Sequence, residues 1–134
     1  MKQVAFIFLS FVFLSCTNST GNSNTSNENS KTDIAQKEKQ KPLEFLHARG
    51  TYRTNMIGQW VLEGNIRNSA TIATYKDVVF RIYYYSKTKT ELGTEEKTVF
   101  EYFKPESDNN FKVKTNGFEG TSTIAFEIVS AGVQ

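Results

Sequence analysis

Two adjoining stretches, residues 59–68 (QWVLEGNIRN) and 77–86 (DVVFRIYYYS), alternate apolar and polar side chains with a period of two. Trp60, Leu62 and Ile66 fall on one face of the first, with Gln59, Glu63, Asn65 and Arg67 on the other. Val78, Phe80, Ile82 and Tyr84 line one face of the second. A two-residue period is that of a β-strand, whose successive side chains point to opposite faces, whereas a helix needs apolar positions three and four apart. One dry face and one wet face is the pattern of an antiparallel sheet packed on a core from one side. These strands constrain a fold and no chemistry.

The chain from Leu43 onward keeps the same rhythm. Residues 43–52 (LEFLHARGTY) read as a first strand interrupted at Gly50, which predicts a bulge or kink. Residues 94–103 (TEEKTVFEYF) alternate as well, but Val99, Phe100, Tyr102 and Phe103 supply apolar groups to both faces, leaving the buried side open. Further strands carry Phe111, Val113 and Thr115, then Ile124, Phe126 and Ile128. Turn signals separate them at 55–58 (NMIG), 87–93 (KTKTELG), 105–110 (PESDNN) and Asn116-Gly117. The segment 69–76 (SATIATYK) is too short and too β-branched for a helix. About six to seven strands with regular turns predict an all-β domain, a two-sheet antiparallel sandwich, with an open β-barrel as the alternative. A domain of this size buries roughly 60–68% of its unfolded surface, enough to hold without disulfides.

The N-terminus has a different character. Met1-Lys2-Gln3 is a short basic start, residues 4–14 (VAFIFLSFVFL) are almost continuously apolar, and Ser15-Cys16 follows. As a helix this run rises only about 16 Å, well short of a hydrocarbon core of roughly 30 Å, so it does not span a membrane. It has the charged and apolar regions of a secretory signal. Leu14-Ser15-Cys16 resembles the end of a bacterial lipobox, in which the cysteine is lipid-modified and becomes the mature N-terminus; Phe13 stands where the lipobox usually has Leu. Two or more acyl chains on one residue anchor a protein stably, and Cys16 is the single cysteine of the chain. Residues 17–41 (TNSTGNSNTSNENSKTDIAQKEKQK) have hardly an apolar side chain, so a disordered tether of roughly 28 Å mean span is expected. Within it, 33–41 could form a helical turn or two, though without an apolar stripe. The chain thus divides into a lipoprotein signal peptide over 1–15, a lipidated cysteine with its tether over 16–42, and a β-sandwich domain over 43–134. The expected home is a membrane of the bacterial cell envelope, the outer one if the cell is Gram-negative.

WVLEGNIRN, YKDVVFRIYYYS and LGTEEKTVFEYFKPESDNNFKVK together resemble the FxLYD-like family of bacterial envelope domains. That pattern has a strand ending in Gly-x-x-x-Asn, a strand of β-branched or aromatic residues reaching an aromatic-Tyr-Asp corner, a Gly-bearing loop, and a Pro-Gly turn before the closing strand. Gly64 and Asn68 match the first element, Tyr84-Tyr85-Ser86 the corner and Pro105 the turn; Ser86 stands where Asp is common and Glu106 where Gly is common. The resemblance implies an immunoglobulin-like sandwich in a secreted or lipid-anchored protein, with no shared catalytic residues.

Composition and motifs restrict function further. From Leu43 on, basic and acidic residues are equal in number and interspersed, which disfavours nucleic-acid binding. His47 is the only histidine and has no partners at metal-ligand spacing. No Gly-rich phosphate loop or nucleophile elbow occurs. Glu95, Glu96, Glu101, Glu106 and Asp108 are interleaved with Lys97 and Lys104, as on a solvated face. Asp108-Asn109-Asn110 offers oxygens of the kind Ca²⁺ takes, without the EF-hand spacing. The expectation is a non-catalytic module with no metal, cofactor or small-molecule substrate. With Tyr84 inward, Tyr83 and Tyr85 point outward beside Val79 and Arg81, and Tyr and Arg together are enriched where proteins grip partners. Arg81, Tyr83 and Tyr85 are therefore the candidate surface for an envelope protein partner. The alternative is a small-ligand carrier or enzyme with an end cleft around His47 or Asp108.

Overall fold

Each stretch that alternates with a period of two forms a strand. The computed structural model describes residues 25–134, with side chains from Ser30 on; residues 1–24, including the expected signal peptide and Cys16, lie outside the described residues. Six strands follow one another: β1 (Leu46–Thr54), β2 (Trp60–Asn68), β3 (Tyr75–Tyr85), β4 (Glu91–Phe103), β5 (Ser107–Thr115) and β6 (Thr123–Val133). They form two three-stranded antiparallel sheets, β1-β2-β5 (sheet A) and β4-β3-β6 (sheet B), so the fold is the expected sandwich. The two strands that carry the clearest alternation, β2 and β3, are central in different sheets, and the short loop between them carries the chain across.

The alternating residues build the core. Leu62 and Ile66 from β2 meet Tyr75, Val78, Phe80, Ile82 and Tyr84 from β3, all fully buried. Phe80 and Phe111 stack between the sheets with ring centroids 4.7 Å apart, and Phe126 meets Phe80 edge-on at 5.8 Å. Burial of such rings contributes on the order of 2–3 kcal/mol each.

Two polar ties cross between the sheets. Asn68, fully buried at the end of β2, donates from Nδ2 to the carbonyls of Ala73 (3.0 Å) and Phe103 (2.9 Å), while its Oδ1 accepts from Ala70 N–H (2.9 Å). At the opposite end, the Tyr84 hydroxyl donates to Glu95 (2.9 Å) and shares a hydrogen bond with Thr115 (2.7 Å), which also donates to Glu95. Burial pushes the Tyr84 phenol up to about 12.

The N-terminal stretch departs from expectation. Residues read as a disordered tether form α1 (Thr25–Gln40), followed by a 3₁₀ turn, η1 (Pro42–Glu44). Helices are ordinarily held by an apolar face, but Ile34 is exposed; among the described side chains of α1 the buried one is Glu38, which is 1% exposed. Its carboxylate accepts from the N–H groups of Thr71 (2.7 Å), Ile72 (2.9 Å) and Ala73 (2.8 Å) and from the Thr71 hydroxyl (2.9 Å). The Tyr75 hydroxyl donates to the Glu38 carbonyl at 2.8 Å. Burial raises the Glu38 pKa, yet these donors more than offset it and hold the carboxyl below its ordinary value. The packed unit thus reaches back past Leu43, the expected boundary, to this carboxylate latch.

Gly50 is not a bulge, since β1 and β2 pair without a break from Leu46–Asn68 to Thr54–Trp60. It lies opposite Gly64, where a Cβ on Gly64 would come 2.0 Å from the Arg49 carbonyl oxygen. The two glycines let the strands approach closely. Glu106, where the FxLYD-like pattern has Gly, has a φ of 53°, the left-handed region that glycine favours.

Gly64→Ala is expected to cost about 3 kcal/mol or more, whereas Glu106→Gly is expected to gain up to about 1 kcal/mol, both measured by urea denaturation. Because Glu38 has a lowered folded pKa, its contribution is present above the unfolded value and is lost as pH falls through the folded one. Glu38→Gln should therefore flatten the acid limb of stability between pH 5 and the folded pKa, measured by thermal melts across pH.

Candidate interaction face

The outer face of sheet B is set by the central position of β3. Its buried residues Val78, Phe80, Ile82 and Tyr84 alternate with Val79, Arg81, Tyr83 and Tyr85, which are half-exposed on the far side. The three residues singled out by sequence therefore share one face. Cross-strand register then decides what each meets. Arg81 lies opposite Glu96 on β4 and Glu127 on β6. Its guanidinium donates to Glu96 Oε1 from Nε at 3.2 Å and from Nη2 at 2.8 Å. The Tyr83 hydroxyl donates to Glu127 Oε1. The Glu96 hydrogen bond, and next that of Tyr83, raises the Arg81 pKa; the Glu127 acceptor raises that of Tyr83, against an opposing contribution from Arg81. Arg81 and Tyr83 are thus held in a chain of polar contacts along the middle of the face. Tyr85 sits opposite Glu91 and Thr123.

The most exposed aromatic side chains on sheet B are elsewhere on it, on β4. Between the pairs Lys76–Tyr102 and Val78–Val99, β4 carries one residue more than β3, and Asp77 takes a φ of 51° at this irregularity. The change of parity falls on β3, where Tyr75 and Val78 both face the core; β4 keeps its period of two, so Val99 and Phe103 turn inward while Phe100 and Tyr102 are 81% and 57% exposed. A period of two groups Val99 with Phe103 and Phe100 with Tyr102, but with apolar groups on both sides only the buried partners across the ladder, Val78 and Tyr75, decide which pair faces inward. The face therefore holds two aromatic groups, Tyr83 with Tyr85 and Phe100 with Tyr102, separated by the Arg81–Glu96 pair.

The two residues named for an end cleft are also brought onto one surface. His47, Arg67 and Asp108 form a cross-strand row on sheet A. Arg67 pairs with Asp108 at 2.5 Å, and His47 Nε2 lies 3.5 Å from Ser69 Oγ. All three are exposed on the open sheet rather than converging on an enclosed pocket. Among the described residues, no group of three or more His, Cys, Asp or Glu side chains could hold a metal ion. No described helix is long and apolar enough to cross a membrane.

Neither a family model nor a curated protein sequence matches the chain. Among solved structures, it is similar to a DUF1425 family member from Shewanella sp. pv-4, at 9% identity over 63% of this chain and 75% of that chain, with a TM-score of 0.44. The FxLYD-like resemblance accordingly rests on the residues quoted for it.

Phe100→Ser should leave stability within about 0.5 kcal/mol of the parent, because the ring loses little contact. Phe103→Ser, at a fully buried position, should cost about 3–5 kcal/mol. Guanidinium denaturation of the two variants checks the assignment of faces on β4.

Proposed function

We propose that the protein is an envelope lipoprotein, anchored through acyl chains on Cys16, that displays a non-catalytic β-sandwich and grips a protein partner with the outer face of sheet B. The observation that carries this reading is the exposure of Phe100 and Tyr102 on the same face as Arg81, Tyr83 and Tyr85. Large apolar rings beside Arg and Tyr are the composition of interface centres, and rings left in water contribute nothing to the fold that carries them. The anchor is supported by the basic start, the apolar run and the single cysteine. The docked helix fits a display role, because its 16 residues add about 24 Å of rigid reach between the membrane end of the chain and the sandwich.

Two measurements test the two halves separately. Globomycin-type inhibition of lipoprotein processing should leave an unprocessed precursor, and Cys16→Ser should reduce recovery in the membrane fraction; a variant that still fractionates with membranes as the parent does removes the anchor. Co-purification from detergent-solubilised membranes should lose the same partner band in Tyr83→Ser/Tyr85→Ser and in Phe100→Ser/Tyr102→Ser. Equal recovery of every partner by both double variants removes the face.

A further inference from the structure

The charges of the sandwich balance overall but are unevenly laid out. From Leu43 on, eleven cations stand against eleven carboxylates. Strand register places Arg49 and Arg53 of β1, Arg67 of β2, and Lys112 and Lys114 of β5 on the outer face of sheet A, with Glu63 and Asp108 among them. Five cations against two carboxylates leave this face at +3 with His47 neutral, and the rest of the domain at −3. Both carboxylates are already engaged. Glu63 pairs with Arg53 at 3.1 Å and with Lys112 at 3.4 Å, and Asp108 is held by Arg67. Arg49 and Lys114 have no ion-pair partner among the described residues.

Neutral polar groups lie between these charges. Arg49, Asn65 and Asn110 form one cross-strand row, and Thr51 stands beside it on β1. The two amides and the Thr51 hydroxyl bond to no other described side chain. With Arg49, Glu63 and Lys112 they line a shallow depression of about 880 Å³, which Glu101 of β4 also reaches. Counting Glu101 still leaves the face at +2. The only apolar side chain on it, Val61, is 1% exposed.

We propose that the outer face of sheet A binds an acidic polysaccharide, a sugar chain carrying carboxylates. The excess of cations selects a polyanion, and a guanidinium fork takes a carboxylate with two parallel hydrogen bonds. The neutral groups select sugar, because an amide or a hydroxyl can both donate and accept, as each ring hydroxyl does. Other anionic partners fit this face less well. Single-stranded nucleic acid is held by rings on which its bases stack, a bilayer by apolar groups that enter it, and a protein by an apolar or aromatic centre. This face offers none of the three. Its cations are spread over six residues of strand, about 20 Å, so several sugar units are engaged at once and weak contacts add. The site rests on neither the anchor nor the aromatic face of sheet B.

The test adds a ten-unit oligogalacturonate to the full chain, labelled with ¹⁵N and held in detergent. Amide shifts should change over residues 49–53, 63–67 and 110–114. Affinity should fall at least tenfold in Arg49→Glu/Lys114→Glu, where both side chains are exposed and unpaired. It should stay within twofold of the parent in Lys87→Glu/Lys89→Glu, the same charge change in the loop after β3. Asn65→Ala/Asn110→Ala should weaken binding of the sugar chain and not that of polyglutamate, which supplies carboxylates without hydroxyls. No shift at about 1 mM, shifts confined to other strands, or an equal loss in both charge variants each overturns the proposal. So does unchanged sugar binding in the asparagine variant, or polyglutamate or single-stranded DNA bound as tightly as the sugar chain.

Discussion

The relation between the two sheets depends on one buried carboxamide. Asn68 ends β2 where the chain leaves sheet A, and its side chain reaches both the crossing loop and Phe103 on β4 of sheet B. An apolar residue of the same size would leave the Ala70 N–H and two carbonyls without partners, at about 1–3 kcal/mol each, against a net gain of about 1 kcal/mol for each bond made. The apolar core favours contact between sheets without specifying their alignment. Asn68 at one end and the Tyr84–Thr115–Glu95 cluster at the other supply that specification.

The crossing loop is also the seat of the helix. With Asn68 fixing its ends, the loop turns three successive N–H groups, those of Thr71, Ile72 and Ala73, toward the Glu38 carboxylate. A charged group is stable there because every lone pair it presents meets a donor, the condition under which a buried carboxylate ceases to be a liability. Hence the residues of the FxLYD-like pattern act through structure. Gly64 permits close strand approach, Asn68 ties the sheets, Tyr84 closes the far end, and position 106 needs a left-handed backbone. These four positions are taken up by the fold, and function has to be sought among side chains that it does not use, Tyr85 of the corner among them.

Strand positions and the inward set of β2 and β3 were legible because a period of two is a local signal, readable within ten residues. So was the outward placement of Arg81, Tyr83 and Tyr85, which follows from Tyr84 being inward. Three features were not, each for a nonlocal reason. The donors to Glu38 lie more than thirty residues away in the chain, so no apolar stripe or cap announced the docked helix. Gly50 signals either a bulge or a close approach, and only its pairing with Gly64 decides between them. The exposure of Phe100 follows from which parity of β4 is inward, and because both parities carry apolar groups only the pairing of Val99 and Phe103 with the buried Val78 and Tyr75 of β3 decides it.

The openness of β6 is likewise a property of topology, since its sequence resembles that of a buried central strand. A long, weakly charged edge ordinarily invites indiscriminate pairing. Here two features narrow what can pair. Val79 and Phe80 of β3 lie opposite Ser130 and Ile128, so β6 carries an extra residue at Val129 that interrupts the regular edge, and η1 packs against the strand. An irregular register and a covering turn are two of the ways in which a sheet edge is kept from pairing with other chains.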